Sequence, residues 1–158
     1  MPSSPVAQLL EQAGVDHVLH IHETPIRSLE DAARERGLDP RQIVRSLVFR
    51  LEGDEFILLL APGPGKVSWA KLRRFLGVSR LTTADPAEVR RVTGYVPGAV
   101  SPLGLATPMR TLADRSLLAQ ETVSIGAGIR DAGIVLATKD LLEVVRPEIG
   151  DFLEAQKT

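Results

Sequence analysis

The sequence predicts an α+β domain, with a mixed, mostly antiparallel sheet curved toward a barrel and surrounded by helices. Three observations predict it. Strand-like runs that alternate or are wholly apolar, such as "DHVLHIH" and "FILLLA", stand among segments with explicit helix start and stop signals. Two apolar runs rich in β-formers flank "EGDE", a hairpin signal. Hairpins and helices are mixed, without strict alternation. A length of 158 residues suits one domain, expected over 1–158.

The first helix is expected from about Ser4 to Ala13. Ser4 can cap it, Pro5 suits its first turn, Val6, Leu9, Leu10 and Ala13 form an apolar stripe, and Gly14 ends it. "DHVLHIH" alternates as a strand does. A second helix runs from Ser28 to Arg36, with Ser28 as cap and Gly37 as stop. The hairpin "IVRSLVFRLEGDEFILLLAPG" follows. Its second arm is almost continuously apolar, which predicts a central strand buried on both faces. "SWAKLRRFLG" reads as a helix on which Trp69 and Phe75, about two turns apart, pack into the core. "SRLTTA" reads as a short strand. "DPAEVRRVTG" carries the clearest helix signals, with Asp85 as cap, Pro86 at the first position, Glu88 three after the cap and Gly94 as stop. "PMRTLAD", "ETVSIGAG" and "GIVLAT" read as strands, and "RSLLAQ" as a helical turn or a bend. Thr138 can cap a helix over "KDLLEVV", which Pro147 interrupts, and "EIGDFLEAQK" reads as a last short helix.

Composition excludes several functions. Hydrophobic residues are 44% and charged residues 25%, a globular balance. There is no cysteine, so disulfides, thiolate metal sites and cysteine nucleophiles are excluded together. "MPSSPVAQLLEQAG" lacks a basic start followed by a long apolar run, and no stretch approaches the roughly 18 apolar residues of a membrane span. A cytoplasmic location without a membrane partner is expected. The net charge of −1 does not advertise nucleic-acid binding, and no DNA partner is expected. Arginine supplies 15 of the 19 basic residues and asparagine is absent, a bias that life at high temperature or a GC-rich genome produces equally well.

The segment "TGYVPGAVSPLG", residues 93 to 104, lies between a well-capped helix and a strand and is therefore a loop within the domain, not a linker. Each of its glycines permits a backbone geometry or approach that a Cβ blocks. "GPG" at 63 to 65 and "GAG" at 126 to 128 also follow strand-like runs. Three such clusters suggest a shared rim of bare backbone N–H groups, which hold phosphates or developing oxyanions. None matches a P-loop.

Several side chains can carry chemistry. His20 and His22 share a strand face and His17 points the other way, but without companion ligands no metal site is expected. His22, at the strand end, is a candidate polar contact. Arg45 and Ser46 open the hairpin. Arg45 is an edge charge or a cation aimed at a phosphate or carbonyl. Ser46 has no Ser-His-Asp spacing or nucleophile elbow to activate it. Ser101 can hold a ligand or its own loop, Tyr95 can line a pocket or cover it, and Asp114 is a strand-end carboxylate. Asp131 beside Arg130 reads as a surface pair.

On these segments the chain resembles the YbaK/aminoacyl-tRNA synthetase-associated domain family, the relatives of the editing insertion of bacterial prolyl-tRNA synthetase. The resemblance runs from "GVDHVLHIHE" to "DLLEVVRP" and is most specific at "TGYVPGAVSPLG", with "TLAD", "SIGAG" and "IVLATKDL" in support. It implies a groove for the acceptor end of an aminoacyl-tRNA and a trans-acting deacylase that hydrolyses the ester of a mischarged tRNA with a small side chain, alanine or cysteine on the proline tRNA. It implies no cofactor, and it adds an aminoacyl-tRNA synthetase as a further candidate partner. By position, Arg45, Gly98 and Ser101 are the catalytic expectations. His22, Ser46, Gly94, Tyr95, Pro97, Asp114, Gly126 and Gly128 are the substrate-binding ones, with Gly126 and Gly128 forming the wall opposite the 94–104 loop. Arg73 and Arg74 are further candidates for phosphates of the single-stranded end.

One position departs from the family. A lysine usually stands where this chain has Arg45. Arginine keeps the charge and adds a planar fork, but it cannot act as a general base. The alternative expectation is therefore a non-catalytic module of the same fold that binds a tRNA end or a nucleotide.

Overall fold

The computed structural model describes residues 3–155. Its order is α1 (Pro5–Gln12), β1 (His17–Ile21), α2 (Leu29–Arg36), β2 (Val44–Arg50), β3 (Phe56–Pro62), α3 (Trp69–Leu76), β4 (Thr82–Thr83), α4 (Pro86–Thr93), β5 (Arg110–Asp114), β6 (Thr122–Gly126), β7 (Ala132–Ala137), α5 (Thr138–Val145) and β8 (Glu148–Gly150). Two short 3₁₀ turns, Pro40–Gln42 and Arg115–Ala119, complete it.

The strands form two sheets. One is antiparallel, in the order β1-β7-β6. The other, β4-β2-β3-β5-β8, is mixed, because β5 runs parallel to both β3 and β8. The sheets meet at the start of β2, where Ile43 makes a parallel bridge with Ser124. The mixed, mostly antiparallel α+β class matches the expectation. No closed barrel forms among the described residues, where the strands are divided between two sheets.

The continuous apolar run of β3 explains the interior. Alternate side chains face opposite ways. Phe56, Leu58 and Leu60 join the larger core with α1, β6, β7 and α5, whereas Ile57, Leu59 and Ala61 join a second core with Leu72, Leu112 and Phe152. Each fully buried Leu contributes roughly 1.5 to 3 kcal/mol. A small third cluster, Ala32, Ala33 and Ile43 with Ile26 and Leu29, seats α2.

Local signals set the helix ends. Ser4 accepts from the Ala7 N–H at 3.0 Å, and its hydroxyl donates to the Ala127 carbonyl at 2.7 Å, tying α1 to the 126–128 segment. Asp85 and Glu88 form the reciprocal box that starts α4, at 2.8 and 3.0 Å. Gly94 ends α4 at φ 81° and launches the 94–104 loop.

One expectation is narrowed and four are corrected. "SRLTTA" pairs over Thr82–Thr83 alone. Thr138 is the first residue of α5 rather than its cap, and its hydroxyl donates to the Gln120 carbonyl. Trp69 and Phe75 remain 37% and 40% exposed, because Leu72 is the side chain that α3 buries fully. Asp131 does not pair with Arg130: its carboxylate accepts from the Ile26 N–H at 3.0 Å and its carbonyl from the His22 N–H at 2.9 Å. Among the described residues no helix forms after Pro147; Glu148–Gly150 is instead a parallel strand beside β5. Tertiary contacts fix it there. Glu148 accepts a two-pronged bond from Arg110 at 2.6 and 2.9 Å, and the buried Asp114 accepts from the Phe152 N–H at 2.8 Å. Gln156 and Lys157, the end of that expected helix, lie outside the described residues. Among the described residues no helix is long and apolar enough to cross a membrane.

Candidate functional site

The pairing of β2 leaves a gap in its edge. At its start Ile43 meets Ser124, and at its end Phe49 and Arg50 pair with β4. The Val48 carbonyl accepts from the Ala84 N–H at 3.1 Å, so Val48 turns its backbone groups away from β3. Ladder alternation gives Ser46, two residues earlier, the same orientation, and its N–H and C=O face the open stretch.

A cavity of about 430 Å³ lies at this gap. Helix α2 contributes Leu29, Ala32 and Arg36; β2 contributes Val44 to Leu47; Gly98, Val100 and β6 residues Ser124 to Gly126 close it. Most of the lining is apolar. Three arginines, Arg27, Arg36 and Arg45, line it, and among the described residues no carboxylate does.

Arg45 donates from Nη2 to the Gly65 carbonyl. Its Nε and the Ser46 hydroxyl are both buried without a hydrogen-bond partner among the described residues. Orphaned polar atoms of this kind are costly and suit a site that a polar ligand completes. Burial lowers the pKa of both Arg45 and Arg36, while the guanidinium stays charged.

Arg36 is held firmly. Its Nε donates to His22 Nε2 at 3.0 Å and its Nη1 to the Ser124 hydroxyl at 3.0 Å. Only glycine at 133 permits this, since a Cβ there would stand 2.3 Å from the Arg36 Cζ. Because guanidinium only donates, His22 accepts through Nε2 and is neutral. Burial first, and the Arg36 charge second, lower its pKa below 6.5.

The glycine segments meet differently from the expected opposite walls. Gly128 N–H donates to the Ala99 carbonyl at 3.0 Å, and a Cβ on Gly126 would lie 2.0 Å from the Val100 carbonyl oxygen. The 126–128 and 99–100 backbones are thus pressed together, and the cavity opens beside them. Gly98, at φ 89° with open space around it, forms a ridge with Pro97 where three depressions converge. The "GPG" cluster and Asp114 line a separate depression, and Gly65 reaches the cavity only through its bond to Arg45.

Arg45, Ser46, Gly98 and Gly126 therefore line one cavity; Pro97 lies on its rim, and His22 stands behind it, holding Arg36. The other expected residues are placed elsewhere. Ser101 is fully buried and accepts from the Leu103 N–H at 3.3 Å, which closes its own loop. Tyr95 is buried, with its hydroxyl donating to the Leu103 carbonyl and its ring beneath Gly128. Gly94 caps α4. Asp114 caps a 3₁₀ turn by accepting from the Ser116 N–H and hydroxyl. Arg73 and Arg74 lie on α3, outside the cavity lining. Sequence reading missed Arg36 and Ser124. A serine inside the apolar run "TVSIG" was the available signal, since a buried hydroxyl requires a partner.

The arrangement can bind an oxyanion or a polarised carbonyl between a cation and an edge-strand N–H. It holds no nucleophile paired with a base, because the Ser46 hydroxyl has no partner. Among the described residues no cluster of three or more metal-ligating side chains occurs.

Residues 23–144 match the model of the aminoacyl-tRNA editing domain. Over 121 residues the chain is 37% identical to the uncharacterized protein YwhH of Bacillus subtilis, covering 77% of this chain and 76% of that one. It is 28% identical over 148 residues to the multifunctional Ser/Thr-tRNA deacylase ProXp-y of Escherichia coli, covering 91% and 88%. A solved structure described as a candidate trans-editing enzyme for prolyl tRNA synthetase superposes with a TM-score of 0.86 at 31% identity, covering 98% of this chain and all of that one.

Proposed function

This chain belongs to the aminoacyl-tRNA editing domain family, and from that premise we propose that it is a trans-acting deacylase that hydrolyses the ester of a mischarged aminoacyl-tRNA with a small side chain. One observation carries the site assignment: the Arg45 Nε and the Ser46 hydroxyl are buried, unpartnered and line the same cavity at an open strand edge. The acceptor end brings its acyl group into the cavity, and the carbonyl oxygen takes the place of the missing partner. Water attacks the carbonyl carbon, negative charge gathers on that oxygen, and Arg45 with Ser46 stabilises it. Collapse breaks the ester C–O bond, giving the free amino acid and the terminal ribose hydroxyl. One good donor in such a site is worth roughly 3 to 4 kcal/mol.

The apolar lining suits a short side chain, and alanine or cysteine on the proline tRNA remains the first assignment. The Escherichia coli relative is described as acting on Ser/Thr-tRNA, so serine and threonine belong in the same test. A second reading is favoured by Arg45 itself, whose Nη2 already bonds Gly65: with the usual lysine replaced by an anchored fork, the cavity binds the tRNA end without cleaving it. Release of labelled amino acid from alanyl-, cysteinyl-, seryl- and threonyl-tRNA separates the two, with Arg45→Lys and Arg45→Ala beside the parent. The deacylase reading expects release from at least one substrate and a loss in Arg45→Ala; four intact substrates, bound but uncut, would leave the binding module.

A further inference from the structure

We propose that the groove on the Trp69 side of the Pro97–Gly98 ridge takes a nucleobase of the substrate's single-stranded 3′ end, stacked on Trp69. The inference rests on the reading of the neighbouring cavity as the acyl site. The groove encloses about 370 Å³ and shares Ser46, Leu47, Gly98 and Val100 with that cavity. A group joined covalently to an acyl group at Ser46 thus has a direct path into the groove along Ser46 and Leu47.

Its walls suit a base. They are apolar apart from Ser46 and Thr83, and carry no ionisable side chain. Trp69 begins α3 yet remains 37% exposed, while Leu72 anchors the helix at 0%. The indole does not swing freely: it meets Phe49 edge to face at 5.3 Å and 87°. A rigid, half-exposed aromatic is a stacking platform for any base, because every base offers a π-face. Arg73, one helical turn on, shares this helix face and forms no ion pair among the described residues.

Trp69 is the only tryptophan in the chain, so its emission reports on the groove directly. The parent protein is titrated with the trinucleotide cytidine-cytidine-adenosine, with uncharged tRNA, and with a blunt RNA duplex that has no single-stranded end. Saturable quenching by the first two but not by the duplex is expected. In steady-state deacylation, Trp69→Ala should raise KM about 5- to 100-fold with little change in kcat, and Trp69→Phe should restore most of the loss. Unchanged emission at saturating tRNA, with deacylation intact, overturns the stacking site alone. An unchanged KM in Trp69→Ala does the same, and so does an emission change that follows protein concentration without RNA, which assigns the groove to a second copy. Quenching without release of amino acid upholds the stacking site and refutes the deacylase reading instead.

Discussion

Gly126→Ala probes the contact on which the cavity depends. A Cβ at Gly126 would stand 2.0 Å from the Val100 carbonyl oxygen and 2.8 Å from its carbon, both of them backbone atoms that cannot rotate aside. Ordinary contact begins near 3.4 Å, so one strand of chain must retreat by about 1.4 Å in an interior packed to crystal density. Overpacking of this kind costs about 3 kcal/mol, which lowers Tm by about 6 to 12 °C in a chain of this size. Moving Val100 also moves Gly98 and the rim. A misplacement of about 1 Å can cost roughly a hundredfold in rate. Thermal unfolding and kcat/KM for deacylation, measured well below the variant's Tm, read the two effects separately. Gly53→Ala is the control, because Gly53 lies in the β2–β3 turn at φ 67° with nothing within 4 Å. It should lose about 1 kcal/mol and keep its activity. If Gly126→Ala matches the parent in both measurements, the two glycine segments do not abut and do not shape the cavity.

Three further predictions follow from single contacts. Asp114→Ala strands the Phe152 and Ser116 N–H groups, so it should lower stability by about 1 to 3 kcal/mol while kcat/KM at low temperature stays near the parent value, because Asp114 lines another depression. Arg36→Lys keeps the charge but cannot bond His22 and Ser124 together, so chemical denaturation should show a loss of about 1.5 to 3 kcal/mol and KM should rise. His22 has a folded pKa below its unfolded value of 6.5, so the unfolded chain takes up the proton first: stability from this group is full above pH 6.5, falls on acidification through the window below it, and levels off once the folded pKa is passed. Urea unfolding between neutral and acid pH should show a slope that His22→Gln reduces; an identical slope would remove His22 as its source.

Most of the fold was legible because its signals are local. The Asp85–Glu88 box, the Ser28 cap and the glycine stops each act within one turn, and the unbroken apolar run of β3 announces a strand buried on both faces. What escaped depends on distant partners. Glu148–Gly150 has no strand pattern of its own and is held by Arg110 and Asp114 from another part of the chain. The same divide runs through the site. Arg45 and Ser46 were legible at a hairpin start, and Gly98 in a dense loop. Arg36 looked like the end of an ordinary helix, since only Gly133 and Ser124, about a hundred residues away, make room for its guanidinium. Ser101 and Tyr95 were open to two readings, because a loop that must hold its own shape needs polar anchors as much as a binding loop does, and both bond within their own loop.

The most direct test of the oxyanion site is the single-turnover rate of ester hydrolysis by Ser46→Ala and Arg45→Ala, on the most sensitive of the four charged tRNAs, beside binding measured on the uncharged tRNA. Losing a donor should slow the chemical step by about a hundredfold or more in each variant, with binding affected far less. Hydrolysis at the parent's rate in both variants would contradict the account.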